Sequence, residues 1–301
     1  MTRCIRFHWL VFMVTTMVFT QPSSAQERPA PTFADVAYGE HENQRIDFWQ
    51  AEADDVAPLA IFIHGGGFER GSKRQVDRQT LRDLLAAGVH VAAVEYRFIP
   101  DAPLPAAHRD AARALQFLRS KAAEWRIDPT RIGGFGGSAG AQLVAYLAFH
   151  DDMADPASDD PIARESTRLS CVAPLHCQST MDLAWWVANI PGYREPHRDP
   201  HDYFGQLDDA DMADVVREVS VINHITADDP PVYMLYRMPP DEPFDDSKDR
   251  GWAVHHVRFG EAMKQRLDQA GVEAVLVYPG ANVAYTSAAD FLIRQLKSAQ
   301  N

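Results

Sequence analysis

The fold of this 301-residue chain is decided by residues 131–141, Arg131-Ile132-Gly133-Gly134-Phe135-Gly136-Gly137-Ser138-Ala139-Gly140-Ala141. The stretch begins as a short strand, and its last part fits the pattern G-x-S-x-G. A helical segment follows over residues 142–150, with apolar residues at helical spacing. A serine at such a strand-to-helix turn lies at a helix N-terminus, where N–H groups stabilise developing negative charge. The stretch therefore predicts a nucleophile at Ser138.

A glycine-rich loop upstream complements this turn. The apolar run Leu59–Ile63 is followed directly by His64-Gly65-Gly66-Gly67-Phe68. Three consecutive glycines after a buried strand allow backbone N–H groups to approach a substrate oxygen closely, as in an oxyanion hole. The serine follows the loop by about 70 residues, and the two motifs together favour a catalytic role over a loop without function.

Strand-like and helix-like segments alternate along most of the chain. This alternation predicts a mostly parallel sheet that is covered by helices on both faces. The predicted strands lie at Phe33–Tyr38, Gln44–Trp49, Leu59–Ile63, Val89–Glu95, Arg168–His176, Val232–Tyr236 and Val272–Tyr278, and the helices at Asp77–Ala87, Ala106–Trp125, Gln142–His150, Phe259–Ala270 and Ser287–Lys297. Residues 181–221 are less regular and rich in aromatic residues, and we interpret them as a small partial lid or an ordinary packed loop.

Together these motifs resemble the α/β-hydrolase superfamily, and specifically its hormone-sensitive-lipase-like esterases. The resemblance covers most of the chain, and it includes the segment Asp128–Ile132 before the serine and Asp228–Val232 before a later strand. It implies an α/β-hydrolase fold over residues 26–301 and a serine nucleophile without a cofactor or a metal. It also implies that the N–H groups of Gly66, Gly67 and Ala139 hold the oxyanion.

The family's catalytic acid usually follows the strand that corresponds to Val232–Tyr236. Register places Asp241 at that position. Three neighbouring acids are rivals, and a solvated acidic loop without a catalytic role is the alternative. The rivals are Glu242, Asp245 and Asp246.

The family's catalytic histidine is missing from its usual place. The turn after the last strand reads Pro279-Gly280-Ala281-Asn282-Val283, and no histidine follows His256 in the chain. Val283, at the histidine's position, cannot transfer a proton. The doublet His255-His256 precedes the helix Phe259–Ala270, on a loop that follows a strand and so enters the ligand-binding edge of the sheet. The doublet is similar to one in some secreted bacterial relatives, and we expect His255 or His256 to act as the base; the alternative is a structural role for both.

The other histidines have weaker claims. His64 is expected to shape the glycine loop, and His176, at a strand end, is a candidate for lining the site. His150 lies on a helix and His224 on the approach to the acid strand, with no role predicted for either. Arg237 stands where the family usually has a histidine, and a cation there could pair with a nearby acid or bind an anionic substrate.

Composition sets the remaining bounds. The formal net charge is −13 and no basic cluster occurs, which argues against a nucleic-acid partner. Residues 1–25 have the pattern of a cleavable signal peptide, with Arg3 and Arg6 before an apolar stretch too short to span a membrane. A membrane anchor is the alternative. We therefore expect a periplasmic or secreted protein that does not stay inserted in the membrane after cleavage.

Two cysteines remain after the predicted cleavage, Cys171 and Cys177. An extended strand between them would separate them by roughly 20 Å, too far for a disulfide. We predict two free thiols, and neither has a metal-ligand pattern.

Three functions fit the sequence. The first is a secreted serine esterase for small acyl esters, with acetyl or feruloyl groups on polysaccharides as candidate substrates. The second is a non-catalytic α/β-hydrolase-fold protein that binds a ligand or partner, suggested by the absent histidine. The third is a serine peptidase or thioesterase, because acyl transfer is chemistry that several enzyme classes share.

Overall fold

Eight strands form a single sheet in the order β1-β2-β4-β3-β5-β6-β7-β8 in the structure, a computed structural model that describes residues 28–99 and 101–298. The predicted signal peptide, residues 1–25, lies outside the described residues. The strands are β1 Phe33–Ala37, β2 Arg45–Trp49, β3 Ala57–Ile63, β4 His90–Val94, β5 Ile127–Gly137, β6 Cys171–Leu175, β7 Val232–Leu235 and β8 Ala274–Val277.

The sheet is parallel from β4 to β8, and β1 and β2 form an antiparallel edge. All seven residues of β3 are buried, as expected for a central strand between two layers of helices. The predicted mostly parallel, doubly wound sheet is therefore confirmed.

Helices cover both faces of this sheet. The helices are α1 Arg78–Ala86, α2 Ala106–Ser120, α3 Ala122–Trp125, α4 Ala139–Phe149, α5 Leu183–Asn189, α6 Pro200–Phe204, α7 Asp209–Val219, α8 Arg250–Val254, α9 Arg258–Ala270 and α10 Ala288–Lys297. Buried side chains of α2, α4 and α9 belong to one hydrophobic cluster, and those of α1 and α10 belong to a second cluster on the opposite face.

Register brings the candidate residues to one edge. The carboxyl end of β3 pairs with β5 through Ile63 and Gly136, and Leu175 of β6 pairs with Leu235 of β7. The loops that follow β3, β5, β6 and β7 therefore leave the sheet side by side, where open α/β sheets bind ligands.

The structure differs from the sequence-based prediction in several places, and two of them concern the helices before and within the lid-like segment. The helix predicted over residues 106–125 divides at Lys121 into α2 and α3. The lid-like segment, residues 181–221, contains α5, α6 and α7 instead of irregular chain. Each of these three short helices begins after an aspartate whose side chain accepts hydrogen bonds from the first-turn N–H groups; these are Asp182, Asp199 and Asp208.

The cysteine prediction is confirmed: Cys171 and Cys177 are both free and buried. Within residues 28–99 and 101–298, no helix is long and apolar enough to cross a bilayer.

Candidate active site

The turn between β5 and α4 holds Ser138 in a conformation that few residues adopt. Its φ is 55° and its ψ is −121°, and its N–H donates to Leu175 O at 2.9 Å. A side chain at Gly140 would place a Cβ only 2.0 Å from Ile63 O, so only glycine fits there. The turn therefore fixes the Ser138 hydroxyl at the edge of the sheet, ahead of the N-terminus of α4.

His255 contacts this hydroxyl directly. Its Nε2 lies 2.8 Å from Ser138 Oγ, and its Nδ1 lies 2.9 Å from Gly251 O. His255 ends α8, one helical turn after Gly251, so the helix carbonyl faces the ring. Because a carbonyl can only accept, Nδ1 carries the proton and the lone pair of Nε2 faces the serine O–H. This is the arrangement that a general base needs.

The surroundings of His255 favour its neutral form. Burial lowers the pKa of the imidazole and Arg237 lowers it further, while the Gly251 carbonyl and Asp249 act in the opposite direction. The net result is a pKa below the ordinary histidine value. Desolvation of the ring is the largest of these effects, because burial disfavours the charged imidazolium.

The geometry does not bring Asp241 to the base. Asp241 is exposed, and the atom facing His255 Nδ1 is the carbonyl oxygen of Gly251. Two of the rival acids are engaged elsewhere, since Glu242 pairs with Lys248 and Asp245 accepts a hydrogen bond from the Ser247 hydroxyl, and Asp246 is exposed. The expected role of Asp241 is therefore not supported by a contact with the base, because its side chain is exposed and the Nδ1 of His255 is already bonded to Gly251 O. Gly251 was not identified from the sequence, since only a predicted α8 would have placed it one turn before His255.

His256, the second member of the doublet, faces the core. It is fully buried, its Nδ1 accepts a hydrogen bond from Arg258 N–H at 3.1 Å, and its ring packs edge-on against Trp252. Burial lowers its pKa to about 4, so it stays neutral. These contacts give His256 a structural role, and of the two predicted bases only His255 reaches Ser138.

The glycine loop lies opposite the base. Gly66 and Gly67 both have positive φ, 121° and 64°, and neither N–H donates a hydrogen bond to another described residue. Ala139 is the first residue of α4, so its N–H also lacks a partner within the helix. His64, the first residue of this loop, is stacked on Tyr96, and this contact fixes the position of the loop. The predicted oxyanion donors thus remain available for a substrate oxygen.

Cavities of very different size flank Ser138. A cleft of about 840 Å³ contains His255, His176 and Arg237 together with several polar side chains. A cavity of about 60 Å³ also borders Ser138, between the glycine loop and the lid-like segment. Its walls include Gly67, Ala139, Met181, Trp186, His197 and Tyr203. A third cavity, of about 820 Å³, lies under α5 and α7 and does not include the serine.

Arg198 connects the lid-like segment to the glycine loop and to Glu69, which follows it. Arg198 donates to Gly67 O at 3.4 Å, pairs with Glu69 at 2.5 Å, and lies over the ring of Tyr203. Arg198 therefore links Tyr203, which lines the small cavity, to Gly67 of the glycine loop.

The BD-FAE family model matches residues 46–238, nearly two thirds of the chain. The chain belongs to the BD-FAE family. Its membership confirms the hormone-sensitive-lipase-like resemblance, and the matched range includes both Gly66 and Ser138. The mycobacterial carboxylesterase NlhH (Mycobacterium tuberculosis) is 34% identical over 101 residues, which is 34% of this chain and 32% of that protein. The probable carboxylic ester hydrolase LipM of the same species is 27% identical over 209 residues, 67% of this chain and 46% of that protein. This BD-FAE chain therefore spans less than half the length of these relatives.

Solved structures share the fold of this BD-FAE protein. A truncated carbohydrate esterase from gut microbiota has a TM-score of 0.68 at 20% identity, covering 90% of this chain and all of that one. An acetyl ester-xyloside bifunctional hydrolase from Caldicellulosiruptor lactoaceticus has a TM-score of 0.65 at 22% identity, covering 83% of this chain and 86% of that one. Both likenesses support the α/β-hydrolase fold.

The lowered pKa of His255 leads to a prediction about pH. A base must be unprotonated to act, and a lowered pKa keeps it unprotonated to lower pH. We expect the acid limb of kcat/KM for p-nitrophenyl acetate to have an apparent pKa below about 6.5, the ordinary histidine value. Initial rates from a pH-stat, with circular dichroism at each pH to verify folding, measure it. An acid limb centred above that value would contradict the assignment.

Two matched variants test which acidic side chain raises the apparent pKa of this acid limb. Asp249→Asn keeps the side-chain cap of α8, which accepts from Trp252 N–H, but removes a charge that raises the pKa of His255. We expect its acid limb to move to lower pH and kcat to fall about threefold to tenfold, less than 1.4 kcal/mol. Asp241→Asn is expected to change neither. The reverse pattern would return Asp241 to the mechanism.

Proposed function

We propose that this protein is a serine esterase that removes short acyl groups, acetyl above all, from a polar alcohol such as a sugar. One observation carries the proposal: the 2.8 Å contact between His255 Nε2 and Ser138 Oγ, located between the two cavities. A protein that had lost catalysis would not need a neutral imidazole held against a strained serine. The contact therefore favours an enzyme over the non-catalytic alternative.

The reaction follows from this geometry. Ser138 Oγ attacks the ester carbonyl carbon while His255 Nε2 takes the hydroxyl proton. The carbonyl oxygen becomes an oxyanion that the N–H groups of Gly66, Gly67 and Ala139 stabilise. When the carbon–oxygen bond to the alcohol breaks, His255 returns the proton to the departing oxygen and an acyl-enzyme remains. Water, deprotonated by His255, then attacks the acyl carbon, the bond from that carbon to Ser138 Oγ breaks, and His255 returns the proton to Oγ as the acid leaves.

The base in this proposal has moved from the family's usual position at Val283 to His255. Its orienting partner is a neutral carbonyl, Gly251 O, instead of a carboxylate in contact with Nδ1. A carbonyl fixes the tautomer and the ring orientation, but it stabilises the transient imidazolium less than a full negative charge does. We expect the remaining electrostatic support to come from Asp249, which lines the same cleft.

The two cavities argue for the substrate class. The 60 Å³ cavity lies beside Ser138, Gly67 and Ala139, and we assign the acyl group of the ester to it because its small size suits an acetyl methyl group. A feruloyl group, with its aromatic ring, exceeds it. The 840 Å³ cleft offers Arg237, Glu242 and Asp249 as hydrogen-bonding groups for an alcohol with several hydroxyls. The names of two structural neighbours, a carbohydrate esterase and an acetyl ester-xyloside hydrolase, agree with this class.

Secretion is part of the same proposal. A carbohydrate ester outside the cell would suit the predicted signal peptide. N-terminal sequencing of protein recovered from the medium or periplasm would begin at Gln26; an uncleaved N-terminus in the membrane fraction would contradict this location.

The small cavity predicts a steep dependence on acyl length. For p-nitrophenyl esters we expect kcat/KM to fall at least about tenfold, or 1.4 kcal/mol, from acetate to butyrate. Trp186 closes this cavity, with its indole N–H donating to Thr180 O. Replacing it by leucine is expected to raise the butyrate-to-acetate ratio severalfold. Because the ratio does not depend on the folded fraction, a loss of stability leaves the test valid, and an unchanged ratio would place the acyl group elsewhere.

Acetylated xylo-oligosaccharides test the alcohol side. We expect acetate release, measured by an enzyme-coupled assay, with a higher kcat/KM than for feruloylated oligosaccharides. A preference for the feruloyl ester would reverse the assignment of the two cavities.

A further inference from the structure

A second group of polar side chains lies far from the serine. His150 follows the last residue of α4, Glu218 lies near the end of α7, and His224 follows the turn after α7. One ligand atom from each lies within 4.8 Å of the others. His150 is twelve residues after Ser138, or about 18 Å along the helix axis. The group is therefore separate from the proposed catalytic site.

Hydrogen bonds fix which ring nitrogens carry protons. His150 Nδ1 lies 2.8 Å from Asp151 O, and His224 Nε2 lies 2.6 Å from the backbone oxygen of Glu218. Since a carbonyl oxygen only accepts, each of these nitrogens bears a hydrogen. In the neutral imidazoles, His150 Nε2 and His224 Nδ1 are then left with lone pairs.

The carboxylate of Glu218 offers no proton to these lone pairs. Its Oε1 lies 3.3 Å from His150 Nε2 and accepts the hydroxyl hydrogen of Tyr146 at 2.5 Å. The lone pair of His150 Nε2 therefore faces the Glu218 carboxylate at 3.3 Å, and a ring nitrogen of His224 lies within 4.8 Å of both. Such a set repels itself unless a cation or added protons occupy it.

The set matches the ligands that zinc takes. Two imidazoles and a carboxylate form a known three-residue zinc donor set with a fourth position open to water. With zinc–ligand bonds of about 2.0–2.1 Å, neighbouring ligands of a tetrahedral ion are about 3.4 Å apart, close to the 3.3 Å between His150 Nε2 and Glu218 Oε1. The surrounding bonds also fit, because metal-bound histidines usually donate their other N–H to a carbonyl and metal-bound carboxylates accept a further hydrogen bond.

We propose that His150, Glu218 and His224 bind one zinc ion that joins α7 to the C-terminal end of α4. All three side chains are half-buried, so the ion enters from solvent and stays partly hydrated. Helix α7 belongs to the lid-like segment, whereas α4 is a core helix that starts at the nucleophile. The ion therefore anchors the far end of the lid-like segment to the core. Its role is structural, and the proposed ester hydrolysis does not need it.

Zinc alone tests the proposal on the full-length chain without an affinity tag, because a histidine tag would bind zinc itself. After EDTA treatment and dialysis, zinc sulfate is titrated calorimetrically at about pH 7.5, because zinc binding to histidine competes with protons. We expect saturable binding near one equivalent and a rise of the unfolding midpoint. Cobalt(II) is expected to give the visible absorption bands of a four-coordinate ion.

Variants separate this site from other binding. His224→Ala and Glu218→Gln are expected to bind zinc at least about tenfold more weakly, whereas His201→Ala, which removes an exposed histidine of the lid-like segment, is expected to bind as the wild type does. Absence of saturable binding to the wild type would overturn the proposal. Equal binding by His224→Ala would also overturn it. If a variant does not fold, the cobalt spectrum of the wild type still tests the site.

Discussion

Replacing Ser138 by alanine is expected to lower kcat for p-nitrophenyl acetate by about 10⁴- to 10⁶-fold, as loss of the nucleophile does in serine hydrolases. The oxyanion donors and the cavities remain in this variant, but no covalent intermediate can form. Stability should change little, because the side-chain oxygen contacts only His255 in the described hydrogen bonds and alanine keeps the backbone at φ 55°. Steady-state rates on protein of verified fold measure the effect.

The control for this variant is Ser247→Ala, which removes an exposed serine hydroxyl on the loop after β7. It is expected to retain the wild-type rate. If Ser138→Ala hydrolysed the ester as fast as this control, the nucleophile would have to be another group, and the function proposed for the turn at residues 136–140 would be wrong.

The second large effect is expected at His255. His255→Asn removes the nitrogen that faces Ser138 Oγ, since the asparagine side chain is too short to reach it, and kcat is expected to fall about 10³- to 10⁴-fold. His256→Asn is the matched control. Its side-chain oxygen replaces the Nδ1 acceptor for Arg258 N–H, so we expect kcat per folded molecule to stay within about threefold of the wild type.

We expect the free energy of unfolding to depend more on His256 than on His255, the reverse of the order expected for kcat. His256 is fully buried beside Trp252, and its replacement is expected to lower the free energy of unfolding by about 1–3 kcal/mol. His255 is only partly buried, so its replacement should cost less. Urea unfolding curves of both variants measure this. A large loss of kcat in His256→Asn, with His255→Asn active, would exchange their roles.

Much of the fold followed from local patterns. The apolar run predicted β3, because a fully buried strand has few alternative structures. The G-x-S-x-G turn predicted β5 and α4, because it requires a strand before it and a helix after it. The lid-like segment was harder to predict. Its helices are short, and their stability comes from packing against the core, so the aspartates at their starts were the only local signal.

The candidate site was predictable only in part. The sequence placed two adjacent histidines at the correct loop, but it could not choose between them. Successive residues near a helix end point about 100° apart, so one faces Ser138 and the other the core. The partner of Nδ1 was missed because it is a backbone carbonyl, Gly251 O, which leaves no mark in residue type. Asp241 was favoured by register with relatives, yet its side chain is exposed and Gly251 O takes the position beside Nδ1.

The most direct test of the relocated base is covalent labelling of the serine. A fluorophosphonate reacts with Ser138 only when a neighbouring base takes the hydroxyl proton, and intact-mass spectrometry counts the labels. We predict one label on the wild type and on His256→Asn, mapped to Ser138, and labelling slowed at least about a hundredfold in His255→Asn. Equal labelling rates in the two histidine variants would contradict the account.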